Sequence, residues 1–218
     1  MDTAMNQEER TRMLAEGYDA VADEYLGLET EAQWPRMKWL HAVLDELPIG
    51  SQVLDLGCGN GLPATKAAAA RHVVVGVDVS TRMLQMAREN VPEATFRLGS
   101  IETVDLPTRH FDAALAFYLF DHIPREELGS VLGRVRNWLK PGGLLLATFE
   151  IADQPDLVSD WLGVPMFFSC FPPDKTKRII EEAGFQLRAA EVETQIEHTT
   201  EISYLWVIGE ARVEAPAV

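Results

Sequence analysis

From residue 52 to 149 the apolar pattern changes period again and again, and this alternation limits the chain to few architectures. Short apolar runs at 52–56, 72–78, 94–98, 111–118 and 144–149 read as strands. Between them lie helical patterns. One is rich in alanine with Pro63 in its first turn, and one is capped by Ser80 and runs to Asn90. A third is opened by Pro124 and carries Leu128, Val131, Leu132, Val135 and Leu139 at helical spacing, with Pro141-Gly142-Gly143 ending it. Strands that alternate with helices imply crossover units and a doubly wound, mostly parallel sheet covered on both faces.

The flanks complete the layout. Residues 6–47 read as two helices broken near Gly27, with Tyr18, Val21 and Tyr25 on one and Met37, Leu40, Val43, Leu44 and Leu47 on the other. After Glu150 the segment 160–173 is apolar and aromatic and reads as a loop or short helix. A helix at 174–183 then stops at Gly184, a fitting C-cap. Two strand-like stretches, 186–196 and 201–209, close the chain as an antiparallel hairpin. With 218 residues, 47% of them hydrophobic, the chain suits one α/β domain and excludes wholesale disorder.

Charge and cysteine usage narrow the classes further. Nineteen Lys and Arg against 34 Asp and Glu leave a net charge of −15 and no basic run, which argues against a nucleic-acid partner. Cys58 and Cys170 stand far apart without His or Cys at ligand spacing, so neither a disulfide framework nor a metal site is expected. No apolar run approaches the roughly 20 residues needed to span a bilayer, and the start MDTAMNQEER lacks the pattern of a signal peptide. A soluble cytoplasmic protein without a membrane partner is expected.

The chemistry is concentrated at Asp55-Leu-Gly57-Cys-Gly59-Asn-Gly61, where the first strand hands over to the first core helix. In a doubly wound sheet that position is the ligand crevice. Asp78 ends the second strand 19 residues after Gly59, near the spacing at which a carboxylate takes the ribose hydroxyls of a nucleoside. A nicotinamide dinucleotide would want a third glycine at position 62, which is Leu62. The loop instead reads G-x-G-x-G with Asp55 before it, and a carboxylate there suits a cationic amino acid end better than a pyrophosphate. That favours S-adenosylmethionine.

With these residues the chain resembles the class I, Rossmann-like S-adenosylmethionine-dependent methyltransferases. VLDLGCGNG is similar to the family's first motif and VVGVDVSTRML to its second-strand acidic motif. FDAALAFYLFDHIP resembles the fourth strand and the loop after it, and LKPGGLLL the turn into the fifth strand. The resemblance implies a Rossmann-like sheet, mostly parallel, with an antiparallel C-terminal hairpin strand and an N-terminal helical cap. It implies one methyltransferase domain over 1–218, with the cap at 1–48 and the cofactor-binding core at 49–150. A substrate-side segment with the closing strands at 151–210 and a tail at 211–218 complete it.

The resemblance also implies residue roles. Asp55, Gly57 and Gly59 would line the methionine end of the cofactor and Asp78 would hold the ribose, while Val79 and Met83 would flank the adenine. Ser100 and Ile101 stand where the family usually has an acidic residue and its neighbour, and Ser100 is the weaker acceptor. Phe117 would lie beneath the cofactor. GYDAVADEY resembles the helical cap of small-molecule members, whose tyrosines, here Tyr18 and Tyr25, close over the cofactor; the alternative is that they form the core face of their helix.

Other residues keep two readings. His122 is either a substrate-facing general base or a loop histidine, and Asp121 complements the N-terminus of the helix opened by Pro124. His198 reads as a solvated turn residue and Cys58 as a small packing residue. Trp161 to Phe168 form either a core filling or an apolar wall over a pocket, with Trp34 and Trp39 facing it from the cap. An Asn/Asp-Pro-Pro-Tyr/Phe motif is absent after the fourth strand, where Phe117-Tyr-Leu-Phe120 stands instead. Methyl transfer to a small acceptor with an apolar or aromatic part is the leading expectation. A dinucleotide oxidoreductase and a cofactor-binding protein that transfers no methyl group are the alternatives. The oligomeric state and the accepting atom are not legible.

Overall fold

The computed structural model describes residues 5–31, 35–197 and 200–213. Two helices open the chain, α1 (Gln7–Glu31) and α2 (Arg36–Leu44). Asn6 and Glu9 start α1 by exchanging bonds: the Glu9 amide donates to Asn6 Oδ1 at 3.0 Å and the Asn6 amide to Glu9 Oε2 at 3.1 Å. The helix runs through Gly27, so the expected break is displaced toward Pro35. A single glycine costs a helix only about 1 kcal/mol and does not end it.

The alternating core follows as β1 (Gln52–Leu56), α3 (Ala64–Ala69), β2 (Val73–Asp78), α4 (Thr81–Asn90), β3 (Thr95–Leu98) and β4 (Phe111–Ala116). After a short 3-10 turn (Phe120–His122) come α5 (Leu128–Trp138) and β5 (Leu139–Glu150). The remainder is β6 (Gln154–Trp161), β7 (Val164–Cys170), α6 (Pro173–Glu182), β8 (Phe185–Glu197) and β9 (Thr200–Ala211). Seven strands form one sheet in the order β3-β2-β1-β4-β5-β9-β8; the first five are parallel, β9 runs antiparallel to β5 and to β8, and β8 thus points the same way as the first five. The chain winds outward from β1 in one direction and from β4 in the other, so the crevice lies at the ends of β1 and β4.

Alternation along each strand feeds two cores. Leu54, Leu56, Ala114 and Ala116 pack with α5 and α6 on one face, while Val53, Ala113 and Leu115 pack with α2 and α3 on the other. Ser80 caps α4 as expected, its Oγ accepting the Met83 amide at 3.0 Å.

Two expectations are corrected. Pro141-Gly142-Gly143 lies inside β5, not between helix and strand. Between the pairs Phe111–Leu139 and Ala113–Leu144, β4 advances two residues and β5 five, so the glycines form a bulge in a ladder that has already begun. The segment read as a loop or short helix is the hairpin β6–β7, a separate two-stranded antiparallel sheet. No helix among the described residues is long and apolar enough to cross a membrane.

Candidate active site

Two cavities meet at the crevice. The first is lined by Gly57 and Gly59 after β1, Asp78 and Val79 after β2, Ser100 and Ile101 after β3 and Phe117 after β4. Met83 from α4, Tyr18 and Tyr25 from α1, and His122 from the 3-10 turn complete this part of the lining. Eleven of the twelve residues singled out from the sequence therefore come together here.

Asp55 is the twelfth, and it stands apart from this lining. It is 2% exposed, and its Oδ2 accepts the Thr65 hydroxyl proton at 2.5 Å. Pleating explains the placement: Asp55 shares a strand face with Val53 and so points toward α3, whereas Leu54 and Leu56 point the other way.

The glycine loop is built for close approach. Gly57 and Gly59 have φ of +65° and +52°, and no atom lies within 4 Å of the place a Cβ on Gly59 would occupy. The Asp78 carboxylate fixes that loop, accepting the Gly59 amide on Oδ2 at 2.8 Å and the Ser80 amide on Oδ1 at 2.9 Å. Burial pushes the Asp78 carboxyl up, and these amide donors hold it back. An ionised carboxylate offers about four acceptor sites, so the amides of Gly59, Val79 and Ser80 leave room for a ribose hydroxyl. An open glycine cradle, a buried carboxylate and apolar walls at Val79, Met83 and Ile101 fit the nucleoside end of S-adenosylmethionine.

Helix α1 closes over this cavity and is pinned along its length. The Asp19 carboxylate accepts the Ser80 hydroxyl at 2.5 Å and the Arg82 amide at 3.0 Å, at the head of α4. Leu14 packs on Met166 and Phe167 of β7. The approach is close at Gly17, where a Cβ would stand 2.5 Å from the Met166 sulfur. Arg10, 1% exposed, bonds both Glu102 and Glu127.

Glu102 lines the first cavity without having been singled out from the sequence. Its Oε2 accepts the Ser100 hydroxyl at 3.2 Å, and Ser100 Oγ accepts the Glu102 amide at 3.2 Å. One guanidinium serves two carboxylates, and burial together with Glu127 pushes Glu102 up to about 7 against the pull of Arg10. A carboxyl raised on folding contributes stability that is whole below its unfolded value and is lost as pH rises through about 7. Raising the pH from about 5 to about 8 should therefore lower the thermal midpoint of the wild type relative to Glu102→Gln. Parallel midpoint curves for the two proteins would refute the assignment.

The second cavity shares Tyr18, Tyr25, Tyr118 and His122 with the first. Trp161 and Phe168 of the hairpin wall it, while Met166 and Phe167 fill the core beneath α1. Both readings of this segment thus apply, to different residues. Trp39 does not face it: its ring stacks on Trp206 at 6.0 Å, in the core on the α2 face of the sheet. Trp34 and His198 lie outside the described residues.

Further placements refine the sequence reading. Asp121 does not serve a helix N-terminus, because α5 begins only at Leu128; its Oδ1 accepts the Glu150 amide at 2.9 Å and ties the 3-10 turn to the end of β5. Cys58 is buried against Gly76, and burial with Asp78 and Asp55 nearby pushes its thiol well up, away from thiolate chemistry. Tyr118 has a φ of +55°, held by its amide donating to Thr148 Oγ1 at 2.7 Å. His122 is 5% exposed; its Nδ1 lies 2.8 Å from the Phe167 carbonyl and its Nε2 2.7 Å from the Tyr18 hydroxyl. Leu14 was within reach of the sequence, four residues before Tyr18 on the same helix face.

Comparison with known proteins agrees with this geometry. Residues 53–143 match the family described as Methyltransferase domain. The chain is 30% identical over 146 residues to an uncharacterised methyltransferase of Synechocystis, a match covering 62% of this chain and 67% of that protein. It is 30% identical over 149 residues to the tRNA (carboxymethyluridine(34)-5-O)-methyltransferase of Arabidopsis thaliana, covering 66% of this chain and 34% of the other. It spans about half the length of further mycobacterial relatives. Among solved structures, the fold is similar to Burkholderia thailandensis 1,6-didemethyltoxoflavin-N1-methyltransferase, which was solved with 1,6-didemethyltoxoflavin and S-adenosylhomocysteine bound. The TM-score is 0.76 at 19% identity, over 98% of this chain and 94% of that one. The sheet order, the glycine cradle after β1, the carboxylate after β2 and these relatives lead to one assignment: the chain belongs to the class I S-adenosylmethionine-dependent methyltransferases.

Proposed function

We propose that the protein methylates a small molecule that has an apolar or aromatic part. The observation that carries this reading is the second cavity, which adjoins the first through four shared residues and is walled by Trp161 and Phe168. A pocket of that kind suits a compact, partly apolar ligand. The net charge of −15 supports an acceptor other than nucleic acid, and we place the protein in the cytoplasm without a membrane partner.

In this reading Gly57 and Gly59 receive the methionine end of the cofactor, and Asp55 stiffens the loop from behind through Thr65. Asp78 takes the ribose hydroxyls. Val79 and Met83 flank the adenine, Ser100 and Ile101 meet its edge, and Phe117 lies beneath the cofactor. Glu102 brings to that edge the carboxylate that Ser100 lacks. Tyr18 and Tyr25 close the site from α1, align the acceptor and exclude water. When bound, S-adenosylmethionine supplies a methyl group on a positive sulfur, so the acceptor's lone pair forms the new bond and the S–CH3 pair returns to sulfur.

The test is transfer of label from methyl-labelled S-adenosylmethionine to phenols, thiols and amines, with bulk tRNA as a parallel acceptor. Label in a small acceptor and release of S-adenosylhomocysteine is the expected result. Label in tRNA alone would overturn the acceptor class. Binding of the cofactor with no transfer at all would favour a regulatory or other non-methyl-transfer role.

A further inference from the structure

We propose that Tyr18 is a catalytic residue that carries the acceptor's proton to His122, and that the acceptor is a hydroxyl or amine compound arriving with that proton in place. The inference rests on the methyl-transfer reading of the two cavities. Its basis is the wiring of the imidazole. The Phe167 carbonyl can only accept, so His122 Nδ1 carries the hydrogen of the 2.8 Å contact. In the neutral ring Nε2 is then a bare acceptor, and the Tyr18 hydroxyl, 2.7 Å away, donates to it. Burial pushes the His122 pKa down and so keeps the ring neutral.

Both ring nitrogens are thereby engaged, so His122 reaches an acceptor only through its bond to the Tyr18 hydroxyl, on a residue that lines both cavities. Its ring is set edge-on to His122 at 5.6 Å and to Trp161 at 5.6 Å, which fixes the hydroxyl. The charge of the second cavity says what must be moved. Asp121, Glu150 and Asp160 line it, with no Lys or Arg among its described lining residues, so it draws in neutral or cationic nucleophiles and repels anions.

The proton accounting closes. The acceptor's X–H bond breaks and its electron pair stays on X. The Tyr18 oxygen takes that proton as its own passes to Nε2, leaving neutral tyrosine and an imidazolium that returns the proton to solvent. No oxidant or further reactant is needed.

Tyr18→Phe tests this, because the ring contacts stay while the hydroxyl goes. In nitrogen-15 histidine spectra of the unliganded protein, His122 should show the Nδ1–H tautomer, and the variant should shift Nε2 and leave Nδ1 in place. An Nε2–H tautomer, or an Nε2 signal unmoved by the substitution, overturns the proposal without reference to any acceptor. Turnover is then compared on 4-nitrophenol against 4-methylphenol and on aniline against benzylamine; the second of each pair holds its proton harder. The variant should lose about a hundredfold on the second members and a few-fold on the first, the range of general acid–base effects. Equal losses across each pair would leave Tyr18 with its closing role alone and overturn the proposal. If the wild type methylates none of the four probes or any other small acceptor, the methyl-transfer reading fails, and the spectra still decide the hydrogen-bonded pair.

Discussion

Replacing Asp78 with alanine should weaken S-adenosylhomocysteine binding by about a hundredfold or more in a calorimetric titration, the scale set by losing hydrogen bonds to a charged group at about 1.5–3 kcal/mol each. Two mechanisms contribute. The carboxylate holds the Gly59 and Ser80 amides that shape the loop, and it is also the acceptor proposed for the ribose hydroxyls. A pair of ligands separates them: the wild type should bind adenosine more tightly than 3′-deoxyadenosine, and Asp78→Ala should abolish the difference. If the variant still discriminates between the two nucleosides, the diol contact belongs to another residue. If it binds S-adenosylhomocysteine like the wild type, neither role stands.

The second large effect concerns stability. Trp206 is 0% exposed and lies 6.0 Å from Trp39, 5.8 Å from Phe117 and 6.4 Å from Tyr118, ring to ring, so it supports the floor on which the site residues after β4 rest. Truncation to alanine should cost about 3–5 kcal/mol in urea unfolding. Trp206→Phe should cost much less. The indole Nε1–H is buried without an acceptor among the described residues, so phenylalanine removes an unsatisfied donor worth about 1–3 kcal/mol while giving up only part of the ring. A phenylalanine variant as unstable as the alanine one would mean that the indole nitrogen has a partner, such as a bound water, that the packing conceals.

How legible all this was in the sequence depended on how local the signal is. The parallel core could be read because β1, β2, β4 and the second half of β5 are largely buried and are written as apolar runs, while the exposed edge strand β3 follows from its place between α4 and Pro107. Cavity-lining residues at strand ends could be read for the same reason, since position at the end of a strand sets position in the crevice. The hairpin was hidden. β6 reads Gln-Pro-Asp-Leu-Val-Ser-Asp-Trp and buries almost nothing, and β7 carries Pro165, which weakens a strand reading. Side-chain direction was hidden as well. Asp55 sits in the right motif and faces α3, and Asp121 sits before a helix yet bonds the end of β5. The Arg10–Glu102–Glu127 cluster joins residues 92 and 117 positions apart, which no local pattern encodes.

The separateness of the β6–β7 sheet bears on how such a chain can diverge. None of its residues lines the first cavity, and yet it walls the second with Trp161 and Phe168. In the proposed reading, part of the acceptor's wall is thus written on a stretch of the gene that the cofactor cavity does not use. In that reading, substitutions in the hairpin alter which acceptor is admitted while the glycine loop and its carboxylate stay as inherited, so descendants of one fold can change clientele and keep the same methyl source.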